Sequence, residues 1–111
     1  MPANDREERA LGLLGLAARA GRVIAGVPLI CTALQKGKKE KTPVLVLLAA
    51  DASQNTQTRV TARTAYYGVP LVRLSLDCAT LAQRVGKRDG AVAAVGITEP
   101  NLAQAIIDLY K

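Results

Sequence analysis

Apolar positions along this chain change spacing repeatedly, and each change marks an element. Ala10, Leu11, Leu14, Ala17 and Ala18 recur every three or four residues and define one face of a helix. Asn4 or Asp5 is suited to cap its start, Glu7 and Glu8 fall in its first turn, and Ala20-Gly21 ends it. Val23-Ile24-Ala25 is a short β-branched strand. Pro28 then sits in the first turn of a second helix, where its missing N–H has no intrahelical bond to lose. Leu29, Ala33 and Leu34 form that helix's inward stripe, and Gly37 stops it.

Residues 44–49, Val-Leu-Val-Leu-Leu-Ala, are apolar without alternation, the pattern of a central strand covered on both faces. Ser53 is the expected N-cap of a third helix with Val60, Thr64 and Tyr67 facing in and Gly68 at its end. A third strand follows over residues 70–74, and Asp77 caps a short helix carrying Leu81 and Val85. Residues 91–97 make a fourth strand. Thr98 is the expected cap of a last helix, with Pro100 in its first turn and Leu102, Ile106 and Leu109 inward. The alternation of helices and strands predicts an α/β fold, a three-layer α/β/α sandwich.

The 111 residues predict one domain over 1–111, with residues 1–10 free to fray. Half of the chain is apolar, yet the only aromatics are three Tyr, so the core is built from Ala, Val, Leu and Ile. No apolar run reaches the roughly 20 residues of a membrane span, and the charged start MPANDREER lacks the features of a signal peptide, so the expected location is cytoplasmic. Cys31 and Cys78 fall in different helices and are expected to be free thiols, buried or half-buried.

With no His, Ser-His and Cys-His catalysis and the common metalloprotease motifs are excluded. Asp51, Asp77, Asp89 and Glu99 are isolated from one another, and no phosphate-cradling glycine motif is present. A non-enzymatic protein without metal or cofactor is the expectation. A deep polar pocket pairing Asp51 with Arg88 or Asp89 is the arrangement that would point back to an enzyme.

The net charge is +6, and it is concentrated. Residues 19–88 contain twelve Lys and Arg against Glu40, Asp51 and Asp77. That imbalance attracts polyanions. The run KGKKEKTP, residues 36–43, reads as a solvated loop. It follows the far end of a helix about 15 Å long, and so is expected at the opposite pole from Gly26. Arg59 and Arg63 share a helix face. Tyr66 and Tyr67 are expected to seal the third helix against the sheet. With no other aromatics to stack bases, any RNA bound here is expected to be structured.

Four stretches together carry a resemblance: LGLAARAGRVIAG at residues 14–26, VLVLLAADASQNT at 44–56, YYGVP at 66–70 and LAQRVGKRDGAVAAVGIT at 81–98. In this order and spacing they resemble the L7Ae/L30e/YlxQ-like ribosomal protein family, in particular its small bacterial branch. The resemblance covers nearly everything after the first ten residues. It implies a mixed four-stranded sheet and an RNA-contacting rim made by the start of the second helix, the start of the third and the loop before the last strand. Such a rim grips kink-turn or related internal-loop RNA. Carried to this chain, the rim is Gly26, Val27, Pro28, Leu29 and Thr32, then Asp51, Ser53 and Gln54, then Gly86, Lys87, Arg88, Asp89, Gly90 and Ala91.

The chain departs from the family where the second helix begins. Pro28, Leu29 and Thr32 stand where the family usually carries Asn, Glu and Lys, and Ile24 and Ala25 where many relatives carry lysines. Base discrimination needs side chains that reach base edges, each good bidentate pair contributing about 1–3 kcal/mol. The expected function is therefore binding of ribosomal or other structured RNA by a monomer, salt-sensitive and with weakened kink-turn specificity. The rival reading is a protein-interaction module in which Ile24, Ala25, Val27, Pro28 and Leu29 form an apolar patch. Exposure of Val27 and Leu29 would favour that rival.

Overall fold

The computed structural model describes residues 5–87 and 91–110. Its elements run α1 (Asp5–Arg19), β1 (Val23–Ala25), α2 (Val27–Lys36), β2 (Leu45–Leu48), α3 (Gln54–Tyr67), β3 (Leu71–Arg73), α4 (Cys78–Arg84), β4 (Ala94–Ile97) and α5 (Pro100–Leu109). The expected order of elements is the observed one.

The strands form one mixed sheet in the order β1-β4-β2-β3. β4 runs antiparallel to both β1 and β2, with Ile97 opposite Val23 on one side and Leu45 on the other. β2 and β3 are parallel, Val46 opposite Leu71. Every residue of β2 and β4 is buried, as their unbroken apolar runs require.

Alternation along the central strands divides the core in two. Leu45, Leu47, Val95 and Ile97 face Leu11 and Leu14 of α1, Leu81 of α4 and Ile106 of α5. Val46, Leu48 and Ala94 face Val27, Ile30 and Leu34 of α2 and Val60 of α3. At Gly96 a side chain is crowded: a Cβ would lie 3.0 Å from Pro43 Cβ and Cγ and 3.6 Å from Ile30 Cγ1. This glycine lets α2 and the chain entering β2 settle onto the sheet.

Three expectations are corrected. The inward stripe of α2 is Val27, Ile30 and Leu34, while Leu29 is 61 % exposed. The helix is rotated by one residue relative to the sequence reading, because Leu29 and Ile30 are equally apolar and only the position of the sheet selects between them. The cap of α5 is Glu99, whose carboxylate accepts from Leu102 N–H at 2.6 Å. Thr98 instead extends the β1–β4 ladder, both its N–H and its hydroxyl donating to the Arg22 carbonyl at 2.9 and 3.1 Å. Strand β4 is shorter than residues 91–97, because Val92 N–H turns to the Cys78 carbonyl at 3.1 Å and closes the chain against α4.

Candidate nucleic-acid interface

Hydrogen bonds gather the segments of the expected rim at one end of the sheet. Gly26 N–H donates to the Ala94 carbonyl at 3.0 Å, and Ala49 N–H donates to the Ala93 carbonyl at 2.8 Å. The start of α2, the exit of β2 toward Asp51 and the approach to β4 from Ala91 therefore meet across consecutive backbone bonds. Asp51, Ser53, Gln54 and Ala91, which follow or precede these bonded residues, are exposed; Gly86 and Lys87, past the end of α4, are exposed as well. Arg88, Asp89 and Gly90 lie outside the described residues.

The start of α2 differs from those of α3, α4 and α5. Ser53 Oγ accepts Thr56 N–H at 3.2 Å, Asp77 accepts Thr80 N–H at 2.7 Å, and Glu99 caps α5. At α2 the cap is Gly26, with φ 104° and ψ 138°, a conformation reserved for glycine, and no side chain caps the first turn. Space beside its Cα is open. Helix N-termini of this kind present N–H groups and partial positive charge to an anion.

Of the residues on this helix, Pro28, Leu29 and Thr32 are exposed, Gly26 is half-buried, and the Val27 side chain is packed in the core. The apolar patch of the rival reading is thus divided, since Val27 is buried and Ile24 and Ala25 are half-buried beside exposed Pro28 and Leu29.

A surface groove of about 710 Å³ runs between β1 and the outward face of α2. Val23, Ile24, Ala25, Leu29 and Ala33 contribute its apolar lining. Arg22, Lys36, Lys38, Lys41 and Lys87 also line it, with Glu40 the sole carboxylate among the described lining residues. The lysines after α2 follow its far end, and the groove extends from them along the helix to Thr32 and Leu29. Arg22, Lys36, Lys38 and Lys41 are additions to the sequence-derived site. Their signal was weak, because only the edge position of β1 turns the space beside α2 into a groove.

Asp51 is held by the fold. Its Oδ1 accepts Cys78 N–H at 2.7 Å, a second carboxylate beside Asp77 at the start of α4. Hydrogen bonds from Thr80 hold the Asp77 carboxyl below the usual range. Burial, reinforced by Asp51 and Asp77, pushes the Cys78 thiol up to about 11, so it stays protonated and unreactive at neutral pH. Cys31 and Cys78 are both free and half-buried. Among the described residues no group of three His, Cys, Asp or Glu is placed to hold a metal.

The tyrosines depart furthest from expectation. Tyr66 is 81 % exposed and Tyr67 36 %, and they meet edge to face with ring centroids 4.9 Å apart. They do not seal α3. Tyr66 lies on the side of α3 turned away from buried Val60 and Thr64.

Residues 8–107 match the model of the ribosomal protein L7Ae/L30e/S12e/Gadd45 family. The chain is 37 % identical over 97 residues to RNA-binding protein YlxQ of Bacillus subtilis (strain 168), an alignment covering 87 % of this chain and 90 % of that one. It is 36 % identical over 80 residues to RNA-binding protein YlxQ of Enterococcus faecium, covering 72 % and 73 %. A structure of a protein with unknown function from Bacillus halodurans C superposes with a TM-score of 0.78 at 26 % identity, covering 90 % and 94 % of the two chains. The Giardia lamblia 15.5kD RNA binding protein shares the fold, with a TM-score of 0.78 at 18 % identity over 97 % and 89 %. Sequence and fold together place this chain in the ribosomal protein L7Ae/L30e/S12e/Gadd45 family.

Proposed function

We propose that this protein is a non-enzymatic, cytoplasmic binder of structured RNA, ribosomal or of the kink-turn and internal-loop type, acting as a monomer with weakened kink-turn specificity. The observation that carries the reading is the groove between β1 and α2, lined among the described residues by five cations and a single carboxylate, with an uncapped helix start beside it. Its relatives' description as RNA-binding proteins supports the same reading. Phosphates would be held by Arg22, Lys36, Lys38, Lys41 and Lys87 and by the first turn of α2, contacts that position a backbone without reading bases. Specificity is weakened because exposed Pro28, Leu29 and Thr32 offer base edges one hydroxyl and no amide, carboxylate or ammonium.

Titration of a kink-turn duplex and a scrambled duplex at two salt concentrations tests this. The expected result is similar affinity for both, falling steeply with salt. A tight, salt-resistant preference for the kink-turn would remove the weakened-specificity part, and no binding to either duplex would remove the whole reading. In that last case the exposure of Leu29 favours a protein partner docking on Pro28 and Leu29.

A further inference from the structure

Helix α3 displays a surface that the groove does not account for. Arg59, Arg63 and Tyr66 follow one another at four- and three-residue spacing and so share one face, turned away from buried Val60 and Thr64. All three are exposed, and α3 contains no Asp or Glu along its length. Arg59 and Arg63 form a like-charge pair one turn apart, an arrangement that works against the isolated helix. Tyr66 at 81 % exposure contributes next to nothing to the core. The helix end that presents it is firmly closed, with Gly68 N–H on the Ala65 carbonyl at 3.2 Å and Val69 N–H on the Thr64 carbonyl at 2.8 Å.

We propose that this face is a second RNA contact, one that takes an unpaired nucleotide with its base stacked on Tyr66 and its phosphates on Arg63 and Arg59. The inference rests on the reading of the protein as an RNA binder, but uses a different surface and a different form of RNA. Tyrosine offers a base a flat π-face, and guanidinium groups pair with phosphate oxygens and stack as well. The edge-to-face contact with Tyr67 fixes one side of the pair and leaves Tyr66 largely open. The negative end of the helix dipole lies at Tyr66 and Tyr67, so phosphates are better placed back along the helix at Arg63 and Arg59, with the neutral base at the end. Positive charge unrelieved by any carboxylate on α3 favours this polyanion over an apolar or basic protein surface.

The test uses the whole protein with two probes, a 12-nucleotide oligouridylate and a blunt RNA duplex, followed by fluorescence anisotropy. Tyr66→Ala is expected to weaken oligouridylate binding about 5- to 150-fold, the span of 1–3 kcal/mol per stacked base, and to leave duplex binding unchanged. Tyr66→Phe keeps the ring and is expected to stay within about twofold of the parent. Arg59→Gln with Arg63→Gln is expected to lower the log–log salt slope for the oligouridylate by about 1.4. Oligouridylate binding indifferent to Tyr66→Ala, or lost equally in Tyr66→Phe, overturns the inference. Duplex binding without oligouridylate binding overturns it too, while leaving the proposed function standing. Oligouridylate binding that depends on Tyr66, without duplex binding, supports this surface and removes the groove reading. Self-association abolished by Tyr66→Ala, with no oligouridylate binding, would assign the face to a second copy of the chain and overturn the RNA contact.

Discussion

The Asp51 carboxylate accepts the backbone N–H of Cys78 at 2.7 Å, joining the turn after β2 to the first residue of α4 across 27 positions of sequence. The same Cys78 passes its carbonyl to Val92 N–H, so one residue ties together the exit of β2, the start of α4 and the approach to β4. An exposed aspartate on the candidate rim is thereby also a structural cap.

Asp51→Ala removes that acceptor. Loss of a cap costs about 0.5–2 kcal/mol, and a fall of that size in urea-unfolding stability is the expected outcome. Asp51→Asn keeps a carbonyl oxygen for Cys78 N–H and should lose less. An equal loss in both would mean that the charge, not the hydrogen bond, is what Asp51 supplies.

The Cys78 thiol gives stability a pH dependence. Its value rises from an ordinary 9.0 to about 11 in the fold, chiefly through burial and then through Asp51. Between those values the unfolded chain releases a proton that the folded chain keeps, so the contribution is complete below pH 9 and is lost as pH rises toward 11. Stability measured across pH 8–11 should fall, and Cys78→Ser should flatten that fall. Alkylation of Cys78 should become fast only toward pH 11, and at lower pH in Asp51→Ala.

Two glycine substitutions should have opposite signs. Gly96→Val places a branched side chain against the rigid Pro43 ring and Ile30, an overpacking expected to cost about 1–3 kcal/mol in thermal or urea unfolding. Gly12 lies in the interior of α1, exposed and with nothing within 4 Å of a Cβ, so Gly12→Ala should stabilise by about 0.8–1 kcal/mol.

Groove charges are predicted to act on RNA affinity alone. Lys36→Gln with Lys41→Gln removes two exposed cations and should lower the log–log salt slope for duplex RNA by about 1.8, with stability within about 0.5 kcal/mol of the parent. An unchanged slope would place the RNA elsewhere on the molecule.

Pro28, Leu29 and Thr32 are all exposed, so they are free to be exchanged without disturbing the core. Pro28→Asn, Leu29→Glu and Thr32→Lys together introduce the side chains that the resemblance implies for these positions. The expected gain is a preference for the kink-turn over the scrambled duplex of about 1–3 kcal/mol per restored base contact, read as a ratio of dissociation constants. Equal binding to both RNAs would show that these positions do not face the bases.

By itself, the sequence determined the order of elements, the central place of the 45–48 strand and the caps at Ser53 and Asp77, because periodicity and capping are local and each residue reports on its own neighbours. The face of α2 that meets the sheet was decided by tertiary structure, because Val27, Leu29 and Ile30 are equally apolar and a helix with such residues on adjacent faces has no preferred roll until a sheet lies beneath it. The same holds for Tyr66 and Tyr67, whose exposure depends on which side of α3 meets the sheet. It holds also for the groove, where Arg22, Lys36, Lys38, Lys41 and Lys87 become one charged surface because β1 is an edge strand and α2 lies along it. Which charges share a field is a matter of distance in space, and that distance exists only after the chain has folded.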